Sequence, residues 1–197
     1  MRIVALNGSP DPDGNTGHLL QATLNAMSQP GIEKHLLHVS SILQDSGDPF
    51  CTVCANPCPG TCYAGTPLED AYTLLAGADA LILGSPVYFG TVSAPLKAFF
   101  DKSRKLRSEK ALLNKVGAAV AVGAARFGGQ ETTLRALHDI MLVHGMILIG
   151  DGDASSDCGH HGVAAQRPAQ DDAFALNRAQ SLAARLYAVT QATQPLR

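Results

Sequence analysis

The sequence predicts an α/β protein, a doubly wound parallel sheet of five strands in the order 2-1-3-4-5 with helices on both faces. Three observations lead there. Short continuous apolar runs rich in Val, Ile, Leu and Ala alternate with longer amphipathic stretches, the pattern of strands covered on both faces. The β-α alternation repeats five times, which favours parallel pairing through right-handed crossovers. The first apolar run, Arg2-Ile3-Val4-Ala5-Leu6, passes into a loop of Gly, Ser, Asn and Thr that opens a helix, an arrangement suited to anions.

Strands are expected over 2–6, 34–39, 79–84, 116–122 and 146–150, and helices over 16–28, 67–76, 93–106, 130–144 and 171–191. Asn15 and Thr16 stand where the first helix begins. Pro67 followed by Glu69 and Asp70 marks the second, with proline at its entrance and acids in its first turn. Ser93-Ala94-Pro95 repeats the device for the third. Gly145 suits the position just past the fourth, where His144 is placed to interact with the negative end of the helix dipole. Two stretches stand outside the alternation: a Cys/Pro/Gly-rich one at 45–66 and a Gly/Asp/His-rich one at 151–170. Both follow strands, so both are expected on the face where such folds bind ligands, with the ligand centred near the first and third strands.

With 197 residues, 46% hydrophobic and 16% charged, the chain is expected to form one domain over 1–197, with a Cys-rich insertion at about 45–66. A net charge of −2 and the lack of a basic stripe argue against nucleic acid or an anionic membrane as a partner. The chain begins directly with a strand, and no run reaches membrane-spanning length, so a cytoplasmic protein with reduced thiols is expected.

Three loops carry the chemistry. The first, Asn7-Gly8-Ser9-Pro10 to Asn15-Thr16, is neither a Walker A loop nor Gly-x-Gly-x-x-Gly. Without a lysine for a β/γ-phosphate it suits a monophosphate, with Ser9, Asn15 and Thr16 as side-chain donors; the plainer alternative is a βα turn with a capping residue. The second, Gly84-Ser85-Pro86-Val87-Tyr88-Phe89-Gly90-Thr91, can lay backbone and an aromatic ring against a flat heterocycle, or bury Tyr88 and Phe89 under the next helix. The third, Gly123 to Thr133, has Gly128-Gly129 for close backbone approach and Arg126 to face a phosphate or an anionic ring, while Glu131 and Thr132 open a helix.

Asn7-Gly8-Ser9-Pro10 with Asn15-Thr16, and Gly84-Ser85-Pro86-Val87-Tyr88-Phe89-Gly90 with Pro95-Leu96-Lys97, resemble the NAD(P)H-dependent FMN reductase family of flavodoxin-like proteins. Gly128-Gly129-Gln130-Glu131-Thr132-Thr133, with His144-Gly145-Met146, is similar to its iron–sulfur flavoprotein branch. The resemblance covers about 1–150 and a helix near 171–190. It implies non-covalent FMN, with phosphate on Ser9, Asn15 and Thr16, isoalloxazine against Pro86, Val87, Tyr88, Phe89 and Gly90, and Arg126, Gly128 and Gly129 nearby. It also implies a homodimer or a dimer-built homotetramer with the flavin near an interface.

Cys51, Cys54, Cys58 and Cys62 are separated by two, three and three residues. Four thiolates among Pro and Gly meet the needs of a [4Fe–4S] cluster. They also meet those of tetrahedral zinc, or stand as thiols without metal. Iron–sulfur flavoproteins carry a compact cysteine cluster after the second strand, with a usual spacing of two, two and a longer gap, from which this row departs. Cys158, His160 and His161 are a weaker metal signal; a histidine there suits proton delivery to a reduced substrate.

The expected function is an FMN-dependent oxidoreductase taking electrons from NAD(P)H or a reduced carrier and passing them to a small molecule or redox protein, through a cluster on the cysteine row. The alternatives are a cluster-free quinone, azo-compound or flavin reductase, a non-enzymatic flavodoxin-like electron carrier, and, more distantly, a zinc-stabilised nucleotide-binding domain. No catalytic side chain is nominated, because hydride transfer to a flavin needs none.

Overall fold

The computed structural model describes residues 1–197. Five parallel positions form one sheet, with helices on both faces. In chain order the elements are β1 (Arg2–Asn7), α1 (Asn15–Asn25), β2 (Glu33–His38), α2 (Val39–Gln44), α3 (Pro67–Ala76), β3 (Ala80–Pro86), α4 (Ala94–Lys102), α5 (Arg104–Ser108), β4 (Val116–Gly123), α6 (Gln130–Val143), β5 (Ile147–Leu148), β6 (Val163–Gln166) and α7 (Ala173–Ala192). The path β2-β1-β3-β4-β5 is the order read from the sequence.

Alternate residues of each strand feed opposite faces. Val4, Leu6, Leu81, Leu83, Ala119 and Ala121 join one core under α3, α4 and α6. Ile3, Ala5, Ile82, Ala118, Val120 and Val122 join the other, against α1 and α7. The inner strands are therefore apolar at nearly every position, and polar alternation is absent from the sequence.

The fifth position differs from expectation. A strand over 146–150 was expected; β5 holds only two residues, paired to Val116 and Gly117. β6 then takes the same side of β4 further up, from Val120↔Val163 to Gly123↔Gln166. Between them the chain leaves the sheet and returns. The two limbs press backbone to backbone, since a Cβ on Gly150 would lie 2.1 Å from the His160 carbonyl oxygen and one on Gly152 2.0 Å from that of Cys158. The excursion is pinned to α7. Arg178 Nε donates to Asp151 Oδ2 at 2.6 Å and Nη1 to Asp157 Oδ2 at 3.0 Å, with Asp151 and Arg178 both buried. Two smaller differences follow local chemistry. The expected helix over 93–106 breaks at Ser103, whose hydroxyl turns back to the Phe100 carbonyl. The short α2 packs on α3 and α4 and is too brief for a helical period to show. No helix is long and apolar enough to cross a membrane.

Candidate FMN site and thiol loop

β1, β3 and β4 are neighbours and parallel, so the loops leaving them meet on one rim. They are cross-braced there. Gly8 N donates to Gly84 O at 2.8 Å, and Val87 N to Val122 O at 2.9 Å. The Ser93 hydroxyl donates to Gly8 O, and Thr132 Oγ1 donates to Gly90 O at 2.7 Å.

Asn7, fully buried, shapes the first loop. Its Oδ1 accepts from Ser9 N at 3.0 Å, and its Nδ2 donates to Pro12 O at 3.3 Å. Ser9 Oγ accepts from Asp11 N at 3.2 Å, and Thr16 is 2% exposed. Gly14 stands at the α1 N-cap without a side-chain bond, and no acid occupies the first turn. The N–H groups of Asn15, Thr16 and Gly17 make no hydrogen bond within the chain. The capping alternative thus finds no support: the helix opens with unmatched donors and a positive dipole end. Asn15 is partly committed, because its Oδ1 accepts from Ala169 N at 2.7 Å, which leaves Nδ2 for a ligand. A cavity of about 450 Å³ opens beside Gly14 and Asn15.

The second loop is a tight hairpin closed by two bonds, Tyr88 N to Thr91 O at 3.0 Å and Thr91 N to Tyr88 O at 3.1 Å. Phe89 (φ +51°) and Gly90 (φ +77°) form its tip, the conformation of a type I′ turn. Tyr88 and Phe89 are exposed, so they do not pack under α4; Pro86 and Val87 are half-buried. Gly129 (φ +95°) lies so close that a Cβ there would meet Gly90 Cα and Val87 Cγ1, each at 3.1 Å.

In the third loop Arg126 and Phe127 point to solvent. The loop is held by Gln130, 3% exposed, whose Oε1 accepts from Gly128 N at 2.8 Å and whose Nε2 donates to Ala125 O at 2.6 Å and Ala165 O at 3.2 Å. Sequence reasoning missed this brace. A glutamine at a helix start reads as an ordinary cap, and only the closeness of Gly123, where a Cβ would lie 2.4 Å from Gln130 Nε2, marks its burial. A cavity of about 830 Å³ separates this loop from 164–174.

The rim thus offers free N–H donors at one end and exposed aromatics with bare glycine backbone at the other. Those are the features needed by a phosphate and a flat heterocycle, and FMN fits them.

The cysteine row lies elsewhere. Arg104 Nη1 donates to Ala55 O at 3.1 Å, and the Lys102 ammonium to Asp48 O. α4 starts on the rim at Ser93, and its nine residues carry the chain about 13 Å away before Lys102. The loop is therefore fastened to the far end of α4, which corrects the expectation that it joins the ligand rim. Cys54 and Cys62 are exposed, and Cys51 and Cys58 half-buried, all as free thiols. The donor chemistry suits a cluster, but the thiols do not converge: no three His, Cys, Asp or Glu side chains stand close enough to hold a metal. The same holds for Cys158, His160 and His161. Burial, then the neighbouring Cys58 and Cys62, push the Tyr63 hydroxyl up to about 12.

His160 leans on Asp151, its Nδ1 3.4 Å from Oδ2, beside a cavity of about 530 Å³ shared with Glu131, His161 and Phe174. Burial alone would raise the Asp151 carboxyl, but Arg178 and the His160 N–H hold it below its ordinary value. His144 is 7% exposed, and burial, then Arg107, lower it to about 4, so near neutrality it is uncharged and bonded to Ser103 (Nε2 to Oγ 3.1 Å).

Sheet order, rim and uncapped helix are those of a flavodoxin-like α/β protein suited to FMN, and comparison with known proteins makes it an oxidoreductase. The family described as NADPH-dependent FMN reductase matches residues 1–161, and the chain belongs to that family. It is 41% identical to an iron-sulfur flavoprotein of Methanocaldococcus jannaschii over 92% of this chain and 93% of the relative. It is 33% identical to an iron-sulfur flavoprotein of Methanosarcina thermophila over 98% and 97%. In fold it matches a flavodoxin-like WrbA-like protein of Agrobacterium tumefaciens (TM-score 0.71, 21% identity, 98% of each chain).

Proposed function

We propose that the chain binds FMN with its phosphate at the α1 N-terminus, among Ser9, Asn15 and Thr16, and its isoalloxazine along Pro86, Val87, Tyr88, Phe89 and Gly90, with Arg126, Gly128 and Gly129 nearby. The observation that carries this reading is the set of unmatched N–H groups at Asn15, Thr16 and Gly17 on the rim bearing the exposed hairpin. Bound FMN supplies the hydride- and electron-accepting chemistry. The chain's part is orientation and electrostatics. The α1 N–H groups neutralise phosphate charge. The hairpin and Gly128-Gly129 would hold the ring, with the bare backbone of Gly90, Gly128 and Gly129 allowing it to come close. Arg126 offers a cation to the charge that develops on reduction. Thr16→Val is expected to weaken FMN binding about tenfold, read by quenching of flavin fluorescence; unchanged affinity overturns the placement.

NAD(P)H or a reduced carrier serves as donor, and a small molecule or redox protein as acceptor. The exposed Tyr88, Phe89 and Phe127 suit a homodimer or homotetramer built at the rim, which sedimentation of the flavin-loaded protein tests.

The cysteine row is assigned to a [4Fe–4S] cluster on two grounds: four thiols lie on one loop, and two relatives covered almost end to end are named iron-sulfur flavoproteins. The divergence of the thiols favours a second reading, a cluster-free NAD(P)H:quinone or flavin reductase. Anaerobic purification with iron, sulfide, zinc and FMN quantification separates them. Near four irons and four sulfides per chain supports the cluster, and FMN alone supports the reductase.

A further inference from the structure

The cavity at the start of α1 has a charge problem. Its lining includes Asp11 and Asp13 together with Gly14, Asn15 and His18. A phosphate monoester carries about −1.5 to −2 at neutral pH, so two carboxylates beside it oppose the N–H groups that attract it. One permanently cationic side chain lines this cavity, and it comes from far along the chain: Arg167.

Three features place Arg167 there. Its backbone N donates to Gly123 O at 2.9 Å, which fixes it at the top of β4. Two residues on, Ala169 N donates to Asn15 Oδ1 at 2.7 Å, which fastens this segment to the first turn of α1. The side chain is exposed and takes part in none of the chain's ion pairs. Arg167 also lines the larger cavity beside Arg126 and Gly129, where Asp172 already accepts from Gln166 N and Ala175 N, and neither Asp171 nor Glu131, which line it too, pairs with Arg167. It therefore stands between the phosphate end and the ring end of the site. A guanidinium presents paired donors that match two phosphate oxygens.

We propose that Arg167 is a binding residue of this site, the counter-charge that closes over the phosphate monoester of FMN held at the α1 N-terminus. The inference rests on the phosphate placement given above. It also implies discrimination: the site selects the phosphorylated flavin over the unphosphorylated one.

The test measures dissociation constants of FMN and riboflavin for the flavin-stripped full-length chain and its variants. Arg167→Gln is expected to weaken FMN roughly ten- to a hundredfold and to change riboflavin less than about twofold. Arg167→Lys, which keeps the charge but not the fork, is expected to fall between. Equal loss for both flavins, or no loss for either, overturns the proposal. A second phosphate source is the 2′-phosphate of NADPH. If Arg167→Gln leaves FMN affinity intact and raises the KM for NADPH but not for NADH, Arg167 reads the donor and the proposal fails. Thr16→Val separates this from the reading beneath it. If that variant changes the FMN-to-riboflavin ratio while Arg167→Gln does not, the phosphate placement stands and only the role of Arg167 falls. If neither changes the ratio, both fall.

Discussion

Phe89 holds a left-handed backbone at the tip of the second loop with its ring in solvent, a costly choice for an aromatic residue. An asparagine suits the first position of a type I′ turn far better. Phe89→Asn is therefore expected to raise stability by about 0.5–1 kcal/mol while weakening flavin binding, measured by urea unfolding of the flavin-free chain beside a fluorescence titration. A loss of stability with unchanged affinity overturns the idea that strain is kept there for a ligand. Gly60 presents the opposite case. At φ +77°, a Cβ would lie 2.8 Å from Tyr63 Oη and 3.0 Å from Lys105 Cδ. Gly60→Ala is expected to cost about 1–3 kcal/mol, because it strains the backbone and lifts the thiol loop off Tyr63. The same denaturation curve, with thiol accessibility, checks it.

At the scale of elements, helix ends carry much of the polar bookkeeping. Lys115, 8% exposed, sends its ammonium to the carbonyls of Leu75 (3.3 Å), Ala76 (2.6 Å) and Ala78 (2.5 Å), and so closes the C-terminal end of α3. Burial holds its pKa below the ordinary lysine value. Lys115→Met leaves the Ala76 and Ala78 carbonyls unmatched, while Leu75 O keeps the Ala78 N–H, and a loss of about 2–3 kcal/mol is expected in the unfolding free energy. His144 closes α6 as a neutral ring. Its folded pKa of about 4 lies below the ordinary 6.5, so the unfolded chain binds the extra proton first as pH falls. Stability from this group is complete above pH 6.5 and is lost between 6.5 and about 4, by up to roughly 3 kcal/mol. His144→Gln is expected to flatten that stretch of the stability–pH curve; an identical slope overturns the assignment.

Across the whole molecule, strand order was legible because burial on both faces forces Ile3-Val4-Ala5-Leu6 and Val116 to Val122 to be apolar throughout. The three rim loops were legible because a chain that must expose backbone to a ligand uses Gly, Ser, Asn and Pro. The braces behind them were not. Asn7 and Gln130 brace their own loops and each also reaches a distant strand, at His38 Nδ1 (3.2 Å) and Ala165 O (3.2 Å), and nothing local in the sequence separates such a buried brace from a solvated cap. Nor does the spacing of Cys51 to Cys62 tell which end of α4 the loop grips, since that is decided by Lys102 and Arg104 some fifty residues later. β6 escaped notice because its four residues show only a brief alternation of buried and exposed. Asp151→Asn removes the buried partner of Arg178 and is expected to cost about 3–5 kcal/mol, with hydrogen exchange accelerated first over 151–162.

The divided fifth strand has a consequence for how the sheet opens. Its lower half, β5, answers to α6, while its upper half, β6, answers to α7 and to the segment bearing Arg167. Because the two halves pack on different helices, amides of 163–166 are expected to exchange as a unit separate from 147–148, which hydrogen exchange reads directly.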